Sequence, residues 1–214
     1  MSATNDLLKL DPTKSIIPFG DGTNHQFSHS DLQHIQDPSG ISVEEGEFLY
    51  GLVRVHRPTI CVETGANVGV SASYVGLALR DNQHGKLTTI EHLPYVADIA
   101  SRKLARMGLD RVTVFNGEVS DFSVEGPIDF MWLDTEMNQR FSELLRFYPQ
   151  LSEGALVCIH DIWELDFAEF GGIPAELKNL IKTGALRVIT FRTNHGVTVF
   201  QKRRIHDAAS DIFQ

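Results

Sequence analysis

The stretch Ile60-Cys61-Val62-Glu63-Thr64-Gly65-Ala66-Asn67-Val68-Gly69 decides the fold, because it drives a short apolar run into a loop of small residues and then into a helical pattern. Residues 59–63 read as a buried strand and residues 68–80 as a helix. Gly65 is free to take backbone angles closed to other residues, and Gly69 lets the start of the helix approach whatever lies above the strand end. In open α/β sheets ligands bind at the carboxyl ends of the strands, beside the switch in strand order. Residues 62–69 are therefore expected to form the floor of a ligand site.

Downstream, strand and helix patterns alternate. Residues 86–91 read as a strand, 94–107 as a helix with Pro94 in its first turn, and 111–116 as a third strand. Residues 128–133 and 155–160 are the fourth and fifth strands, with a helix over 139–148 between them. The rhythm then changes, because 186–192 and 197–202 are strand-like and joined by Thr193-Asn194-His195-Gly196, which predicts a hairpin. Upstream, Ser42 followed by Glu45 has the form of a capping box, and Phe48, Leu49, Leu52, Val53 and Val55 give a helical apolar face that ends before Pro58. The expected architecture is an α/β fold with a seven-stranded, mostly parallel sheet, helices on both faces and a C-terminal antiparallel hairpin. Residues 42–214 make one domain. Residues 1–41 lack periodicity and read as an irregular N-terminal arm, a candidate substrate lid.

A chain of 214 residues with 42% hydrophobic and 22% charged residues has the balance of a soluble globular domain and not of a disordered or membrane protein. No apolar run has the length of a membrane span, and residues 1–14 lack a signal pattern, so a cytoplasmic location is expected. Cys61 and Cys158 each lie in an apolar run and read as reduced packing residues. The net charge of −9 argues against a duplex nucleic-acid partner, since phosphate binding needs a surplus of cations. Small molecules are the expected partners, with no membrane association; a homo-oligomer is left open.

Phe130-Met131-Trp132-Leu133-Asp134 and Leu156-Val157-Cys158-Ile159-His160-Asp161 each carry an apolar strand into an acidic residue. Adjacent strand ends bring Asp134 and Asp161 to one rim, where two carboxylates suit a hard divalent ion such as Mg²⁺. Such an ion would bind a substrate hydroxyl and lower its pKa. Trp132 reads as core and His195 as a turn residue. Trp163, Phe167 and Phe170 either close over a substrate or pack ordinarily, and His25, His29 and His34 lack metal spacing.

The run Val62-Glu63-Thr64-Gly65-Ala66-Asn67-Val68-Gly69 resembles motif I of the class I methyltransferases that bind S-adenosylmethionine, and the likeness extends from about residue 43 to residue 202. The resemblance implies a Rossmann-like methyltransferase fold. It makes Glu91, at the end of the second strand, the acid on the ribose, and it places the adenine against Gly117, Val119 and Ser120. Glu63, Gly65, Asn67, Gly69, Ser71, His92 and Asp134 complete the implied cofactor site. The rim is similar to that of metal-dependent O-methyltransferases of the catechol type and of bacterial natural-product sugar O-methyltransferases. That likeness implies Asp134 and Asp161 as metal ligands, with His160 a ligand, a general base or a structural residue. One departure stands out, because the catechol type has a basic lysine three residues beyond the first aspartate where this sequence has Met137.

The expected activity is methyl transfer from S-adenosylmethionine to a hydroxyl of a small molecule, assisted by Mg²⁺, with Asp134 and His160 catalytic. Its competitors are a metal-independent S-adenosylmethionine enzyme, acting on nitrogen or by cyclisation or elimination, and a non-catalytic nucleoside-binding module. A nicotinamide oxidoreductase is disfavoured by the absence of G-x-G-x-x-G and by the terminal hairpin.

Overall fold

The computed structural model describes residues 15–18, 24–27, 35, 37, 40–162 and 172–203. Strand β1 (Ser15–Pro18) pairs antiparallel with β2 (Asn24–Phe27), so the arm expected to be irregular contains a two-stranded ribbon. The main domain runs α1 (Val43–His56), β3 (Ile60–Thr64), α2 (Val70–Asn82), β4 (Lys86–Glu91), α3 (Pro94–Arg106), β5 (Val112–Asn116), β6 (Ile128–Leu133), α4 (Arg140–Phe147), β7 (Leu151–His160), α5 (Ala175–Lys182), β8 (Leu186–Phe191) and β9 (Val197–Lys202).

The seven-stranded sheet has the order β5-β4-β3-β6-β7-β9-β8. Strands β3 to β7 are parallel to one another, and β9 runs antiparallel to both β7 and β8, as the sequence predicts. The chain leaves β3 toward β4 and β5 on one side and returns to β6 on the other. The order therefore reverses between β3 and β6, and a crevice opens above their carboxyl ends.

Local chemistry sets the element ends. Ser42 Oγ accepts from the amide of Glu45 at 3.3 Å while the Glu45 carboxylate accepts from the amide of Ser42 at 3.0 Å, which closes the capping box on α1. Helix α2 starts at Val70, two residues later than expected, because Gly69 adopts a left-handed φ of 81° and extends the loop. Strand β7 starts four residues earlier than expected. Gly154, at a φ of 85°, lies inside the strand, and the register against β6 shifts between Ile128 and Phe130, which is the signature of a bulge. Helix α5 has no counterpart in the sequence reading.

Strand β6 divides the core. Phe130 and Trp132 point into the layer built by α1 and α2 with Leu49, Tyr50, Val53 and Tyr74. Met131 and Leu133 point into the opposite layer with Leu144 and Phe147 of α4 and Leu177 of α5. Trp132 is fully buried, as expected of a core residue. Cys61 and Cys158 are free and buried. Among the described residues no helix is long and apolar enough to cross a membrane. His29, His34, Trp163, Phe167 and Phe170 lie outside the described residues, and of His25 only the backbone, in β2, is described.

Candidate active site

The loop after β3 is fixed by its own backbone. The amides of Gly65 and Ala66 both donate to Ile90 O, at 3.0 and 2.9 Å, which ties the loop to the end of β4. Gly65 adopts a φ of 81°, and a Cβ there would lie 2.3 Å from Asp134 O, so only glycine fits between the two strand ends. Asn67, at a φ of 46°, turns its amide onto Glu91 Oε2 at 2.9 Å. The other oxygen of Glu91 accepts from the amide of Leu93 at 3.0 Å, and His92 Nδ1 stands 3.3 Å from it. The carboxylate is thereby held upright at the strand end.

A cavity of about 640 Å³ opens above these residues. Gly65, Asn67, Glu91, His92, Gly117, Val119 and Asp134 line it, which brings together most of the residues that the sequence assigns to the cofactor. Ser71 lines a smaller adjoining cavity of about 130 Å³, together with Gly65, Asn67 and Asp134. Glu63 and Gly69 line neither cavity, and neither does Ser120, whose carbonyl accepts from Arg146 at 2.8 Å. Glu63 is fully buried beneath the loop, and Ser71 Oγ donates to it.

Burial raises the Glu63 carboxyl, the Ser71 and Thr89 hydroxyls offset part of the rise, the Asp134 charge adds to it, and the group reaches about 8. The folded state then holds a proton that the unfolded chain releases near the ordinary value of 4.5. Stability from this group is complete below about 4.5 and is lost as pH rises through about 8. Glu63→Gln is expected to flatten that slope, so that urea midpoints at pH 5 and pH 9 lie closer together in the variant than in the parent. Equal slopes in the two proteins would show that the carboxyl is not held protonated.

The rim is formed by the ends of β6 and β7. His160, 6% exposed, places Nδ1 at 3.1 Å from Asp134 Oδ1 and 3.4 Å from Asp161 Oδ2, with Nε2 at 3.3 Å from Glu45 Oε2. Burial lowers the imidazole, but the neighbouring carboxylates of Asp134, Asp161 and Glu45 outweigh it and hold the ring at about 11, as a cation at neutral pH. Asp161 is lowered despite burial by the His160 hydrogen bond and by Arg140, and it adopts a left-handed φ of 56°, a strain that a non-glycine residue keeps only where its surroundings enforce it.

Arg140, at the start of α4, was missed in the sequence. Its Nη2 lies 3.0 Å from Asp134 Oδ1 and its Nη1 3.1 Å from Asp161 Oδ2, while Nε donates to Thr135 O at 2.7 Å. A buried guanidinium thus bridges both rim carboxylates. Glu45 and His195 were also missed as members of this network. His195 Nδ1 is 3.1 Å from Glu45 Oε2, and its amide donates to Glu45 Oε1 at 3.0 Å.

Residues 62–162 match the family model described as a methyltransferase domain. The chain has the fold of the class I S-adenosylmethionine-dependent methyltransferases, and this segment is similar to their methyltransferase domain. Among the curated proteins similar to this chain is a catechol O-methyltransferase of Mycobacterium tuberculosis, 25% identical over 159 residues, which span 72% of this chain and 69% of the relative. A catechol O-methyltransferase of Niastella koreensis is 26% identical over 128 residues, 56% of this chain and 57% of that one. In fold the chain is similar to the O-methyltransferase from Bacillus cereus in complex with SAH, with a TM-score of 0.69 and 18% identity, covering 81% of this chain and 87% of that one. It is equally similar to an O-methyltransferase from Streptomyces achromogenes in complex with SAM, with a TM-score of 0.70 and 18% identity, covering 83% and 91%.

The residues of this site fit a nucleoside cofactor, because a braced carboxylate at the end of β4 and a glycine floor face one cavity. They do not fit Mg²⁺. Asp134, His160 and Asp161 bring donor atoms within 4.8 Å of one another, but Mg²⁺ demands a near-octahedral shell of oxygens. Here an imidazole is one of the three donors, and the oxygens Asp134 Oδ1 and Asp161 Oδ2 already carry the Arg140 guanidinium. With that donor set no step is routed through Mg²⁺ at these three residues.

Proposed function

We propose that this chain is an S-adenosylmethionine-dependent methyltransferase that methylates a hydroxyl of a small molecule at the rim formed by Asp134, His160 and Asp161. The observation that carries the reading is the placement of Asp134 and Asp161 on the cavity that contains Gly65 and Glu91, with His160 bound to both carboxylates behind them. Glu91 and the Asn67 loop would hold the ribose, the residues after β5 the base, and Asp134 the amino-acid end. When bound, the cofactor supplies an electrophilic methyl on a sulfonium.

The chain's own groups orient the acceptor. Asp161, whose side chain is 35% exposed, is the rim carboxylate best placed to accept a hydrogen bond from an acceptor hydroxyl. His160, already protonated, fixes both carboxylates and does not start as a base. Arg140 balances their charge, so the acceptor oxygen meets a rigid, partly compensated rim; alignment and exclusion of water then carry most of the rate. The net charge of −9 supports an acceptor that is not a duplex nucleic acid.

The test is calorimetry with S-adenosylhomocysteine, followed by turnover on a panel of catechols, phenols and sugar alcohols with labelled S-adenosylmethionine. Saturable S-adenosylhomocysteine binding and label in an ether-linked methyl are expected, with no rise in rate on adding Mg²⁺. Label recovered only in amine products would overturn the hydroxyl assignment, and a strict Mg²⁺ requirement would overturn the reading of the rim.

A further inference from the structure

The fold brings a second set of donors together behind the rim. Glu45 comes from the first turn of α1, His160 from the last position of β7, and His195 from the turn between β8 and β9. One donor atom from each lies within 4.8 Å of the other two. Glu45 Oε2 is 3.3 Å from His160 Nε2 and 3.1 Å from His195 Nδ1. We propose that Glu45, His160 and His195 form a binding site for a divalent transition ion of the zinc class, distinct from the Asp134–Asp161 pair.

Size supports it. Metal bonds of about 2.0 to 2.2 Å arranged tetrahedrally place neighbouring donor atoms roughly 3.4 Å apart, close to the two edges that meet at Glu45 Oε2. The third edge can close by rotation of His195, whose side chain is 42% exposed at the tip of its turn.

An independent observation points to a missing ligand. His160 Nε2 is buried without a hydrogen-bond partner: it lies near Glu45, but its N–H direction does not meet the oxygen. Buried polar atoms without a partner are rare and call for an explanation, and an ion that displaces the Nε2 proton to solvent on binding supplies one.

The surroundings already hold the three side chains. The other nitrogen of His160 rests 3.1 Å from Asp134 Oδ1, the carboxylate–imidazole arrangement that fixes tautomer and ring orientation in metal sites. Thr193 Oγ1 and the His195 amide hold Glu45 Oε1 at 2.7 and 3.0 Å, and Ser42, through its amide and hydroxyl, holds Oε2 at 3.0 Å each. Two imidazoles and one carboxylate favour zinc, cobalt or a similar ion over Mg²⁺, and three protein ligands leave a fourth position for water or the acceptor.

The test uses the full chain, stripped with a chelator and titrated with Co²⁺ by calorimetry and visible absorption. One Co²⁺ per chain with the intense bands of four-coordinate cobalt is expected, displaced by Zn²⁺ and not by Mg²⁺. His195→Ala, a change at a half-exposed turn, should weaken binding by more than the roughly 10- to 100-fold that loss of an orienting partner costs. Asp161→Asn should leave the bands in place. No saturable cobalt uptake, or uptake that His195→Ala leaves unchanged, overturns the proposal; loss in Asp161→Asn alone would move the ion to the rim. S-adenosylhomocysteine calorimetry on the same samples reports cofactor binding separately, so the metal site can fail while the methyltransferase reading stands.

Discussion

Replacing Gly65 by alanine is expected to abolish measurable S-adenosylhomocysteine binding and to destabilise the fold by about 4 kcal/mol. The added Cβ would lie 2.3 Å from Asp134 O, 2.6 Å from Asp134 C and 3.0 Å from the amide of Thr135. All three atoms are backbone, and the segment is pinned by the bond from the amide of Asp134 to Thr64 O at 2.9 Å. No side chain can rotate away, so one strand end must move, and the floor of the cavity moves with it. The left-handed φ adds its own strain. Gly69→Ala is the control: it shares the same φ of 81°, but its Cβ would meet nothing nearer than Ala100 Cβ at 3.4 Å. Its expected loss is the backbone cost of about 1 kcal/mol, with binding retained. Affinity in Gly65→Ala within threefold of the parent would sink the close-approach account.

Arg140→Met should lower stability by about 3 kcal/mol, or roughly 8 °C in Tm, and reduce kcat. The guanidinium, 7% exposed, is the shared counter-charge of Asp134 and Asp161, and removing it leaves two acidic groups facing one imidazolium. A fully buried pair broken on one side would cost about 3 to 5 kcal/mol, and water reaching the 20% and 35% exposed carboxylates places the expectation at the low end. Adding Asp161→Asn to Arg140→Met should restore about half of the loss, a coupling that thermal denaturation of the double-variant cycle measures directly. Additive effects would mean that the bridge contributes little.

The sequence made the floor and the strand ends legible and left the charge network hidden, for a physical reason. Gly65, Glu91, Gly117, Asp134 and Asp161 follow apolar strands, and a parallel sheet delivers all such ends to one side, so periodicity alone places them together. Arg140 falls on a short amphipathic helix, where an arginine ordinarily faces water. Glu45 carries a complete local explanation as a capping partner, and His195 one as a turn residue. Nothing in a linear pattern shows that positions 150 residues apart meet. Helix α5 escaped because its eight residues bury only Leu177, and the early start of β7 because Gly154 reads as a turn and acts as a bulge.

The bonds from Thr193 and His195 to Glu45 span 148 and 150 positions of the chain, which gives the protein a temporal order as well as a shape. During synthesis the first turn of α1 leaves the ribosome long before its partners exist, and loop closure on that scale is slow. The bonds of Glu45 to Thr193 and His195 form only when the last strands dock, so a chain paused before residue 193 leaves the buried Glu45 carboxylate without two of its partners.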